Sequence, residues 1–89
     1  MIFGAIDMKL TREEAAEIIA RFLAGKGEKW EWDDFTSVPV KDDRELNAIA
    51  LFCNLVHDIY PPTRAGEYCS SEGLQVLRRI EGYLRGKHR

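Results

Sequence analysis

The segment TREEAAEIIARFLAG, residues 11–25, places Ala15, Ile18, Ile19, Phe22 and Leu23 on one side at helical spacing and Arg12, Glu13, Glu17 and Arg21 toward water. Thr11 with Glu14 three residues on forms a capping box, and Gly25 suits the turn that ends a helix. The pattern predicts a helix over residues 12–24.

A second amphipathic pattern opens at KDDREL, where Asp42 is expected to cap and Glu45 to occupy the third helical position. Leu46, Ile49, Cys53, Val56 and Tyr60 form a stripe that Ala50, Phe52, Leu55 and Ile59 widen beyond half the circumference. So broad an apolar face marks this as the central, most buried helix. Pro61 and Pro62 end it, because neither can donate the helical hydrogen bond. A third helix follows PPTRAGEYCSS, with Ser70 or Ser71 as N-cap, Glu72 in the first turn, and Val76, Leu77, Ile80, Tyr83 and Leu84 as its apolar face. Gly86 fits its exit. Gly82, costly inside a helix, predicts a close helix crossing.

Between the first two helices lies EKWEWDDFTSVP, residues 28–39. Its first six residues are the one stretch that alternates with period two, and a single strand has nothing to pair with. In an extended chain Trp30 and Trp32 share a face and both enter the core. In a helix they diverge by about 200°, Trp32 pairs with Phe35, and Trp30 is left outside with Glu28 and Glu31. The reading is an all-α fold: a compact bundle of three long helices, with a short fourth as an option, in a single domain over residues 1–89.

Composition narrows the class. With 45% hydrophobic and 31% charged residues the chain is neither disordered nor membrane-spanning in character, and its longest apolar runs fall far short of the roughly 20 residues a bilayer span needs. MIFGAIDMKL lacks the basic start of a secretory signal, so a cytoplasmic location is expected. Met8 also makes a natural start, which leaves the residues before it as a loose extension unless Ile2, Phe3 and Ile6 dock. Cys53 and Cys69 then read as free thiols. The net charge of -2 hides an asymmetry: residues 1–45 carry 11 acidic and 7 basic groups, residues 46–89 carry 4 and 6. The acidic half argues against nucleic-acid binding, and the basic tail LRRIEGYLRGKHR reads as cations complementing a helix C-terminus.

Candidate chemistry is sparse. Cys53 and His57 lie four apart on a helix, and Cys69 with His88 would complete a Cys2His2 set, but the spacing is not that of a zinc finger and Cys53 falls in the apolar stripe. Cys69, just before a helix N-terminus, is the better candidate thiolate, with His57 as its base. Asp33, Asp34, Asp42 and Asp43 lack the alternation of a calcium loop and read as caps, with Asp33 or Asp34 starting a short turn ahead of Phe35. No cofactor or metal is expected.

Three stretches carry a resemblance: LTREEAAEIIARFL, the segment DIYP at Asp58–Pro61, and SSEG at Ser70–Gly73 leading into VLRRIEGYLR. With them the chain resembles the colicin E-type nuclease immunity proteins and similar small bacterial immunity-like proteins. The resemblance implies a small acidic helical protein that binds the nuclease domain of a toxin and blocks it. In that family a tyrosine pair before the proline contacts the toxin; Tyr60 matches the second tyrosine, and Ile59 stands in place of the first. The family's acidic second-helix face has no equivalent here, and WEWDDF has no counterpart there.

The expectation is therefore a protein-binding module without chemistry of its own, an immunity protein that occludes a cognate toxin. Its contact residues would be Glu28, Trp30, Glu31, Trp32, Asp33, Asp34 and Tyr60. Trp and Tyr dominate binding energetics, and carboxylates speed encounter with a basic surface. The alternative is self-association through whatever part of the second helix its neighbours leave uncovered. A thiol- or metal-dependent enzyme is the third reading.

Overall fold

The computed structural model describes residues 9–86. The segment holding Ile2, Phe3 and Ile6, and the tail residues Lys87, His88 and Arg89, lie outside the described residues. Four helices follow in order among the described residues: α1 (Arg12–Leu23), α2 (Lys29–Ser37), α3 (Arg44–Ile59) and α4 (Ser71–Leu84). The fold is all-α, and the short fourth helix is α2, formed by the tryptophan segment.

α1 starts on the expected capping box: the Glu14 amide donates to Thr11 Oγ1 at 3.0 Å, and the Thr11 amide donates to Glu14 Oε1 at 2.9 Å. It ends in a Schellman motif, in which Gly25 takes φ +71° while the Gly25 and Lys26 amides donate to the Phe22 and Arg21 carbonyls. At α3 the cap lies one residue later than expected. Asp42 takes φ 68° in the turn, so Asp43 is the extended N-cap and accepts the Leu46 amide at 3.0 Å. Glu45 consequently falls in the first turn but not at the capping-box position. Ser70 caps α4, accepting the Gly73 amide.

α2 has the weakest local credentials. It is 9 residues long, and its N-cap Glu28 makes no side-chain capping bond. A helix this short is marginal in water alone. Tertiary burial holds it: Trp32, Phe35 and Thr36 all turn inward, and the Thr36 hydroxyl donates to the Trp32 carbonyl at 3.0 Å. Pro39 stops it, with Val38 already extended at ψ 129°. Asp33 and Asp34 thus lie in the body of a helix and do not cap a turn.

Each helix packs on its sequence neighbours, and α1 packs on α4 to close the ring, the most extensive of the four pairings. Side chains at the two ends give the directions. Arg12 reaches Asp43 and Glu45, and Arg85 reaches Glu13 and Glu17, so the starts of α1 and α3 meet the end of α4. At the other end Phe22 and Trp32 meet Tyr68, which in turn meets His57. The helices therefore alternate up, down, up, down. Arg85, expected with the basic tail to complement a helix end, is held by three carboxylates, those of Glu13, Glu17 and Glu81.

Two expectations about packing are corrected. α3 is not the most buried helix: Leu46, Ala50, Cys53 and Val56 reach the core, but Leu51, Leu55 and Ile59 remain about half exposed. In a ring of four, α3 packs chiefly on α2 and α4, and an apolar face wider than half its circumference exceeds what two neighbours reach. The close crossing is at Gly73, not Gly82. A Cβ on Gly73 would stand 2.8 Å from Cys69 Sγ and 3.0 Å from Tyr60 Cβ, whereas at Gly82 it would meet nothing within 4 Å.

Candidate functional site

The helical form of EKWEWDDF separates its two tryptophans. Trp32 is 6% exposed and stacks on Phe22 at 3.9 Å between centroids, with Tyr68 edge-on to both rings. Trp32 Nε1–H donates to the Tyr68 hydroxyl at 3.3 Å, and that hydroxyl donates to the Cys53 carbonyl at 3.4 Å. Each polar atom of this aromatic cluster is thereby satisfied. Trp32, expected among the contact residues, is almost wholly buried and ties α1, α2 and the α3–α4 loop together.

Trp30 is the opposite case, 63% exposed on the outer face of α2. Asp33 and Asp34 lie three and four residues on, which places both beside it on the same face, and Glu28 lies at the helix start. All three carboxylates are exposed, and none forms an ion pair among the described residues. Glu31 differs. Its carboxylate accepts a two-pronged bond from Arg21 Nε and Nη2 at 3.1 and 2.8 Å, which fastens α2 to α1 and raises the guanidinium pKa further.

Below this face runs a groove of about 460 Å³ between the end of α1, the start of α2 and Tyr68. Phe22, Trp32 and Tyr68 make an aromatic wall, Glu28, Glu31 and Asp33 supply acidic groups, and among the described residues no basic side chain lines it. Such a lining suits the apolar stem and charged head of a lysine or arginine. Tyr60 belongs to the end of α3, not to α2. It is the half-buried C-cap of α3, its carbonyl accepts the Ser70 amide at 2.9 Å, and it packs beside Gly73.

The thiols are enclosed. Cys53 and Cys69 are unpaired and buried. Desolvation pushes the Cys53 thiol up to about 12 and also raises Cys69, with Glu67 adding to the latter. The helix N-terminus beside Cys69, expected to favour a thiolate, is outweighed by burial. No group of three His, Cys, Asp or Glu able to hold a metal occurs among the described residues, and His88 lies outside them. No helix among the described residues is long and apolar enough to cross a membrane.

Sequence reasoning missed Tyr68 and the groove. The tyrosine is 36 residues from Trp32 in a turn-rich loop, and only chain folding brings the two together. No family model, curated protein or solved structure matches the chain, so the functional reading rests on fold and site geometry.

Proposed function

We propose that this chain is a protein-binding module that covers a basic surface of another protein with the outer face of α2. In this reading it is an immunity protein that blocks a cognate toxin by occlusion. The observation that carries the proposal is Trp30, a large ring left 63% exposed on a helix whose other aromatic rings are buried, with carboxylates around it that form no ion pair among the described residues. Withdrawing that ring from water on contact is worth about 2–4 kcal/mol. Glu28, Asp33 and Asp34 supply long-range attraction to lysines and arginines, and the groove beside them receives one such side chain. Nothing is bonded or cleaved by this chain; inhibition is steric and electrostatic.

The test is co-expression with the product of the adjacent gene. The neighbour alone should arrest growth, co-expression should relieve the arrest, and the two should co-purify. Trp30→Ala should weaken the complex by about 30-fold or more. A harmless neighbour, or one that forms no complex, removes the immunity reading.

A further inference from the structure

α3 carries a second surface that the α2 face does not explain. Leu51, Leu55 and Ile59 are 51%, 49% and 50% exposed, four residues apart along one line of the helix. Around that line Arg44, Ala48, Leu51, Leu55 and Asp58 follow at steps of four, three, four and three, the spacing of a coiled-coil seam, and all five are exposed. The middle of the seam is apolar and its ends are charged: Arg44 is the first residue of α3 and Asp58 the last but one. Arg44 forms no ion pair among the described residues, and Asp58 meets only the adjacent His57, at 3.6 Å.

We propose that this seam pairs with the same seam of a second copy, antiparallel, about a two-fold axis at Leu51. Leu51 lies seven residues from each charged end. Antiparallel pairing about it sets each Arg44 opposite the second copy's Asp58, twice by symmetry, with Leu51 against the second copy's Leu51 and Leu55 against its Ala48. Parallel pairing would set Arg44 beside Arg44 and Asp58 beside Asp58, which is repulsive. The charge pattern therefore selects both the occupant and its orientation. A seam with one cation and one anion is neutral, and so is poorly matched to the strongly basic partner that the α2 face suits. One helix face is smaller than the roughly 800 Å² per partner of a standard interface, so association in the micromolar range is expected.

Sedimentation velocity on the full chain from about 1 to about 500 µM tests this. The expected result is a concentration-dependent dimer that Leu51→Gln and Leu55→Gln abolish. Arg44→Asp and Asp58→Arg should each weaken it about tenfold or more, and the double variant should restore it. Because these side chains are exposed, circular dichroism should show unchanged helicity in every variant. Leu51→Cys should yield a disulfide-linked dimer on oxidation. A wild-type monomer throughout, a dimer indifferent to these changes, or single charge reversals that the double variant fails to rescue would each overturn the proposal. Trp30→Ala should leave the dimer intact, so this result and that of the toxin test are read separately.

Discussion

A single side chain decides what the tryptophan segment is. Because Trp32 is buried and stacks on Phe22 whereas Trp30 is largely exposed, the two indoles should differ in emission. Trp30→Phe should leave a blue-shifted emission shielded from acrylamide, and Trp32→Phe a red-shifted one that is readily quenched. Caesium should quench Trp30 efficiently, since Glu28, Asp33 and Asp34 concentrate cations around it. Equal accessibility of the two rings would contradict the helical placement. Gly73 and Gly82 form a matched pair for calorimetry. Gly73→Ala forces a Cβ into Cys69 and Tyr60 and should cost about 1–3 kcal/mol, whereas Gly82→Ala enters open space and should gain about 0.5–1 kcal/mol. The thiols should react with an aromatic disulfide reagent at pH 8 only as fast as the protein opens, because both are buried with raised pKa values.

Among the elements, α2 is held by packing and the others by packing plus caps. α1, α3 and α4 each start on a side-chain cap, and α2 does not. Amide exchange should accordingly be fastest in α2 among the four helices, and uniform protection across them would refute this ordering. Phe35 is fully buried beneath it, so Phe35→Ala should cost about 3–5 kcal/mol by thermal or urea unfolding. α2 was only an option from sequence for the same reason: its weak capping and its period-two start obscured an inward face that Trp32, Phe35 and Thr36 define. α3 shows the converse. Its helix was plain from its apolar pattern, but which part of that pattern is covered depended on how many neighbours it has.

At the scale of the whole molecule, ion pairs join distant ends. Asp43 caps α3 and also accepts both prongs of Arg12 from α1, at 2.9 and 3.0 Å, and these bonds hold its carboxyl below the ordinary range. Glu67, which accepts amides and a hydroxyl from Thr63 and Arg64, is likewise lowered. A lowered folded pKa means stability that is complete above the ordinary carboxylate range, about 4, and is lost as pH falls toward the folded values. Acid melts should therefore show the midpoint falling below pH 4, and Asp43→Asn should flatten that dependence. At the alkaline end the sign reverses: Cys53, raised to about 12 from 9.0, withdraws stability as pH climbs between those values, so Cys53→Ala should blunt the loss of stability in base.

The local pattern of side chains was enough to place α1, α3 and α4, their stops at Gly25, Pro61 and Gly86, and the all-α class, because capping and helical periodicity act over a few residues. It missed the cap at α3 by one position, since whether Asp42 or Asp43 caps depends on which of them enters a left-handed turn. The inward turn of Trp32, the outward turn of Trp30, the groove beside Tyr68, the crossing at Gly73 and the uncovered seam on α3 were decided by tertiary structure alone. Each depends on which surfaces the ring of four helices brings into contact, and contacts between residues 36 apart in the chain are set by packing, not by local spacing.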